Sequence, residues 1–118
     1  KFPSIWSALS TFSHMPIILM TKSGYAIFEY FSIHPRGEII VVTSNKKIIK
    51  LTKLFAGKVR VIKKNIDIGS PIDIIWDTIA DNKKSIFKSS QQVVAVYVSK
   101  YVSNARANCI TVFDKNDF

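Results

Sequence analysis

The chain has 118 residues, of which 47% are hydrophobic and 21% are charged, a balance typical of one folded globular domain and unlike that of a disordered tail. Seventeen lysine and arginine residues stand against eight acidic residues, and this formal net charge of +9 favours a polyanionic partner such as nucleic acid. A single cysteine, Cys109, excludes an internal disulfide bond and a zinc site built on cysteines.

The apolar runs of the chain are far shorter than the roughly 20 residues that cross a bilayer. Its first residues also lack the long apolar core of a signal peptide. We therefore expect no membrane partner. Together with the single cysteine, this pattern predicts an intracellular protein that acts in the cytoplasm of its host cell.

The first part of the chain predicts a short helix followed by strands. Apolar and β-branched residues favour a helix at 4–12 and strands at 16–21, 25–33 and 38–43. Between the last two strands, Pro35 suits the second position of a turn and Gly37 tolerates a positive φ. We therefore expect the third strand to run antiparallel to the second.

The clearest helical pattern follows at residues 46–56, and Gly57 can end this helix. Its apolar residues recur on one side, which we expect to be buried: Ile48, Ile49, Leu51, Leu54 and Phe55. Its basic residues collect on the other side, where they could follow a DNA backbone or lie in solvent: Lys46, Lys47, Lys50 and Lys53.

The remaining chain predicts strands at 58–62 and 109–113 and a helix at 72–80, in which Trp76 is expected in the core. We expect a polar loop at 81–90. The segment 91–104 is rich in valine, which favours a strand, although its spacing also permits a helix. The order of elements predicts one α+β domain over residues 1–118, with helices packed on a central, mostly antiparallel sheet.

The ambiguous segment 91–104 contains two tyrosines with a lysine between them, and these are its candidate reactive residues. If it is a helix, Tyr97 and Tyr101 share one face, and Lys100 can hold a phosphate near them. A phenol becomes a nucleophile when a base, cation or metal stabilises its anion. The alternative is that both tyrosines are ordinary half-buried residues with hydrated hydroxyls.

The run from Tyr97 to Asn104 resembles the tyrosine motif of rolling-circle replication initiators, the Rep branch of the HUH endonucleases. The family pattern is tyrosine, apolar, two variable residues, tyrosine, apolar, variable, lysine, and here Asn104 stands in the last place. The small size is similar to that of Rep proteins from archaeal viruses or plasmids. The resemblance implies that Tyr101, with Tyr97 as second choice, attacks a phosphate of single-stranded DNA, that Lys100 contacts that phosphate, and that Asn104 contacts DNA.

The same resemblance implies a divalent metal, Mg²⁺ or Mn²⁺, that polarises the phosphate. The family holds this metal with two histidines one residue apart, where this chain has Glu38-Ile39-Ile40. Glu38 and His34 are therefore the expected ligands. The resemblance also implies a homodimer that supplies two tyrosines for alternate strand transfers.

Three functions remain open at this point. The first is a replication initiator that nicks and rejoins single-stranded DNA through a tyrosine-linked 5′-phosphate. The second is a catalytically inactive Rep-like domain that binds nucleic acid, supported by the missing histidine pair. The third is a structural or protein-interaction domain whose basic charge is incidental.

Overall fold

A five-stranded sheet forms the centre of the protein, with helices on both of its faces. The computed structural model describes residues 10–12, 14–21, 27, 37–55, 59–98 and 109–118. The strands in these ranges are β1 (Ile17–Met20), β2 (Ile39–Thr43), β3 (Val59–Lys63), β4 (Gln92–Tyr97) and β5 (Cys109–Asp114). The α-helices are α1 (Lys46–Thr52), α2 (Pro71–Asp81) and α3 (Lys83–Ile86), and short 3-10 turns cover Ser10–Phe12, Lys53–Phe55 and Lys115–Asp117. No helix in the described ranges is long and apolar enough to span a bilayer.

The predicted α+β class is confirmed, but the predicted direction of the strands is wrong. The strand order is β3-β2-β1-β4-β5, and the pairings β1 with β2, β1 with β4, and β2 with β3 are all parallel. Of the strand pairs in the described ranges, only β4 and β5 are antiparallel. The sheet is therefore mixed and mostly parallel.

Burial on both faces explains the parallel arrangement. All residues of β1 and β2, and the four residues 93–96 of β4, are buried, because successive side chains point to opposite faces and both faces are covered. On one face, the core contains Ile74, Ile75 and Ile79 of α2. On the other face, Ile48 of α1 and Ile27 pack against the opposite side of the same strands.

Most of the predicted elements in the described ranges are confirmed, with two exceptions. The predicted loop at 81–90 contains the short helix α3. Of the predicted strand at 25–33 only Ile27 is described, and it is helical and buried, so the prediction is wrong at that residue. The ambiguous segment is a strand as far as Tyr97, and residues 99–104 lie outside the described ranges.

Helix α2 begins as its sequence predicts. Ser70 caps the helix by accepting a hydrogen bond from the Asp73 amide at 3.3 Å, and Pro71 occupies the first helical position. Inside the helix, the hydroxyl of Thr78 is buried but donates a hydrogen bond to the Ile74 carbonyl at 2.7 Å, so it has a partner in place of water. Trp76 departs from the prediction, because its side chain is 42% exposed and rests on the ring of Phe118 with centroids 4.3 Å apart.

Gly37 lies where the chain enters β2, and close packing explains the absence of a side chain there. A Cβ atom at this position would collide with the carbonyl group of Met15, whose carbon would lie only 2.7 Å away. The Ile17 amide donates to the Glu38 carbonyl at 2.9 Å, which holds the two chain segments together at this point. Gly37 is therefore required because a side chain would not fit, and not, as predicted, because a turn needs a positive φ there.

The 3-10 turn that follows β5 is held by a capping box, and this box supports a prediction about pH. The hydrogen bond from the Asn116 amide, assisted by the side chain of Gln91, holds the pKa of Asp114 below its usual value. A lowered pKa stabilises the fold above the ordinary pKa of the carboxyl group, and this stabilisation is lost as pH falls through the lowered value. We expect Asp114→Asn to have a lower Tm than the wild type near neutral pH and an equal Tm in strong acid. A gap in Tm that is independent of pH would contradict this account.

Candidate nucleic-acid interface

Helix α1 presents its lysines to solvent. Asn45 caps the helix, and its side-chain oxygen accepts a hydrogen bond from the Lys47 amide at 2.9 Å. Ile48 and Thr52 are buried, and the exposed side carries Lys46, Lys50 and Lys53, which we call the lysine row. At a rise of about 1.5 Å per residue the row is about 10 Å long. Lys47 is also exposed and lies beside the row.

Lys46 is placed unfavourably for the stability of the helix, whereas Lys50 lies in the last turn, where the helix dipole favours a cation. The first turn of α1 contains no acidic residue, although acidic residues are favoured there by the helix dipole. Lys46 and Lys50 are four residues apart, so their like charges repel. Among the described residues, the ion pairs are Arg60–Glu38, Lys64–Asp81 and Lys88–Glu38, and none of them involves α1. The row is therefore a cluster of positive charge that no described acidic residue compensates.

Lys63 adds a basic residue to this surface, one position beyond the strand predicted at 58–62 and outside the predicted DNA contacts. It is the last residue of β3 and is exposed, and it pairs in register with Thr43 of β2. Thr43 lies three residues before Lys46, so Lys63 and the start of α1 share the carboxyl edge of the sheet. Only the sheet register places the two together, and register between strands distant in the chain is not visible in a local sequence pattern. The next residue, Lys64, is instead paired with Asp81, with Nζ and Oδ2 3.7 Å apart.

The tyrosine motif is only partly within the described ranges. Tyr97 is the last residue of β4, half-buried, and its hydroxyl lies 2.8 Å from the Oγ1 atom of Thr111 on β5. Of the two possibilities left open for this segment, the strand is the one found at Tyr97, so Tyr97 is not a helical residue. Lys100, Tyr101 and Asn104 lie outside the described residues.

Glu38, the first of the two expected metal ligands, lies between two cations. One carboxylate oxygen is 3.2 Å from Nη2 of Arg60, and the other is 3.6 Å from Nζ of Lys88. Two positive neighbours oppose the binding of a divalent cation, so these surroundings do not fit Mg²⁺ or Mn²⁺. The described residues contain no group of three or more histidine, cysteine or acidic side chains that could hold a metal, and His34 lies outside them.

The sheet also separates Glu38 from Tyr97. Ile39 pairs with Ile17, whereas Val96 pairs with Leu19, so Glu38 precedes the sheet at one edge and Tyr97 ends it at the other. Four residue positions separate the two levels, which corresponds to about 13 Å along the strands. The structure therefore brings Tyr97 to the same edge as the start of α1 and leaves the expected metal ligand at the opposite edge.

The ion pairs of Glu38 support a testable prediction. The Nε and Nη2 atoms of Arg60 are inaccessible to solvent and make no hydrogen bond with a described residue, so the carboxylate of Glu38 compensates their charge. Because both side chains are about one-third exposed, we expect Glu38→Gln to lower the free energy of unfolding by only about 1 kcal/mol. Urea denaturation measures this loss. In the Arg60→Gln background the same substitution should cost less, and an equal cost in both backgrounds would contradict the pairing.

Comparison with known proteins assigns neither a family nor a function to the chain. No protein-family model matches the chain, and no characterised protein matches it with significant similarity.

Proposed function

We propose that this domain binds the phosphate backbone of single-stranded nucleic acid, in the first instance DNA, through the lysine row and Lys63. The observation that carries the proposal is the row itself, which has three exposed cations on one helical surface and no ion-pair partner among the described residues. Phosphate groups would relieve the repulsion within the row and release counterions from the nucleic acid. The net charge of +9 attracts such a ligand over a longer range.

The affinity should depend strongly on salt and weakly on base sequence, because lysine contacts to phosphate carry no sequence information. Four contacts on a single strand correspond to a slope of log K against log salt of about −3. Fluorescence anisotropy of a labelled oligonucleotide of about 12 nucleotides, which suits the site sizes of small binding domains, measures this slope. Vesicles of phosphatidylserine serve as a second anionic probe. A protein that binds these vesicles and not the oligonucleotide, or that binds neither, would contradict the proposal.

A second candidate is the nicking and rejoining of single-stranded DNA by a tyrosine. It is supported by the motif that ends at Asn104 and, since Tyr97 is a strand residue bonded to Thr111, it depends on Tyr101 with Lys100. In this reaction the tyrosine oxygen bonds to phosphorus and the 3′ oxygen leaves. The same chain would retain the lysine row as its DNA contact.

A denaturing gel of labelled single-stranded DNA mixed with the protein and Mn²⁺ tests this candidate. The candidate requires a protein-linked band that is lost in Tyr101→Phe and kept in Tyr97→Phe. The Tyr97→Phe variant also serves as the control for folding, because it removes one hydrogen bond worth about 1 kcal/mol. Absence of the band while anisotropy shows binding leaves a non-catalytic nucleic-acid-binding domain.

A further inference from the structure

The outward surface of α2 is apolar and acidic. Ile72 and Trp76 are four residues apart and are 38% and 42% exposed, so they form an apolar strip on one side of the helix. Asp73 and Asp77 have the same spacing and are also exposed, and they run beside the strip. We call these four residues the acidic surface. Exposed aromatic and aliphatic residues with charged neighbours mark surfaces that bind other proteins.

The charge of this surface is opposite to that of the molecule. Helix α2 contains three aspartates and no basic residue, whereas the whole chain carries a formal charge of +9. Asp81 is paired with Lys64. Asp73 and Asp77 make no ion pair with any described residue. A partner for the acidic surface therefore needs two cations about 6 Å apart, the rise over four residues of a helix, and an apolar group next to them.

The lysine row on α1 has this chemistry. Lys46 and Lys50 have the same four-residue spacing as the two aspartates. Leu54, in the 3-10 turn that extends α1, is 76% exposed, so the prediction that it is buried is wrong, and it can supply the apolar contact. The two surfaces cannot meet within one molecule, because α1 and α2 contribute to cores on opposite faces of the sheet.

We propose that the acidic surface of one molecule docks on the lysine row of a second copy of this chain. Asp73 and Asp77 pair with the lysines, and Ile72 and Trp76 pack against Leu54. The docked pair keeps one free lysine row and one free acidic surface, so the contact is head-to-tail and adds molecules in a chain, unlike a symmetric dimer. This inference goes beyond the proposed function, and the two share the lysine row.

Sedimentation velocity at low ionic strength tests the inference with two double variants, in each of which two charged side chains are replaced by neutral amides. One variant, Asp73→Asn with Asp77→Asn, loses the acidic surface and keeps the lysine row. The other, Lys46→Gln with Lys50→Gln, loses the row and keeps the acidic surface. We expect the average mass of the wild type to rise with concentration and each variant alone to associate about tenfold more weakly. An equimolar mixture of the two should form a one-to-one complex and grow no further, because only one intact pair of surfaces remains.

A wild type that stays monomeric, variants that associate like the wild type, or a mixture that forms no complex would each overturn the inference. Circular dichroism melts of both variants separate these outcomes from misfolding. Oligonucleotide anisotropy on the aspartate variant separates the inference from the proposed function. This variant should bind DNA as well as the wild type does. If the wild type stays monomeric while both proteins bind DNA, the inference alone is removed.

Discussion

Gly37→Ala should be among the most damaging single substitutions in the described part of the chain. The added Cβ atom meets the main-chain carbonyl of Met15, and backbone cannot move aside as the end of a flexible side chain can. The collision falls where the chain enters β1 and β2, the central parallel pair of the sheet. We expect the free energy of unfolding to fall by about 3 kcal/mol or more, the upper range for an overpacked site. Urea denaturation measures this loss.

Gly69→Ala is the matched control for this substitution. Gly69 has a φ of 95°, and a Cβ atom there would have no neighbour within 4 Å. It should therefore show only the cost of an unfavourable backbone conformation, about 1 kcal/mol. A loss at Gly37 no larger than the loss at Gly69 would mean that the approach of Met15 to β2 is not as close as described.

Neutralising part of the lysine row should weaken nucleic-acid binding without weakening the fold. Lys46→Gln with Lys50→Gln removes two phosphate contacts, so the salt slope on single-stranded DNA should become shallower by about 1.4. The same relation gives a loss of affinity of about 25-fold at 0.1 M salt. Both lysines are exposed, and the relief of their repulsion offsets the loss of a favourable cation in the last turn, so the stability of α1 should be nearly unchanged. Anisotropy titrations at several salt concentrations measure the slope and the affinity together.

Lys84→Gln with Lys115→Gln is the control with the same change in net charge. Both residues are exposed, lie outside α1 and make no ion pair with a described residue. If binding depends on the lysine row, this variant should keep nearly the full slope and affinity. Equal losses in the two double variants would show that only the overall charge of the protein matters.

Local patterns predicted the elements well because their causes are local. The Ser70-Pro71 start of α2 and the alternation of lysine with apolar residues in α1 depend on neighbours within one or two helical turns. The direction of the strands was predicted wrongly because a turn at Pro35 and Gly37 suggested a hairpin. The uninterrupted apolar runs of β1 and β2 favour the parallel sheet, since strands covered on both faces do not alternate.

The candidate site was predictable only where it lies on one element. The lysine row follows from the period of a helix, whereas Lys63 joins it through the pairing of β3 with β2. Whether Glu38 can bind a metal depends on its neighbours in space. These are Arg60 and Lys88, which are distant from it in the sequence. The exposure of Trp76 was missed because the helical pattern shows that a residue is apolar but does not show whether another element covers it.

Mapping the bound oligonucleotide by NMR tests the central claim most directly. The measurement is a series of ¹H–¹⁵N correlation spectra of the labelled protein during titration with a short single-stranded DNA. We predict that the largest shifts fall on the amides of Lys46, Lys50 and Lys53 and at Lys63, and that added salt reverses them. Shifts centred on α2, or binding without any change at α1, would contradict the assignment of the lysine row as the nucleic-acid interface.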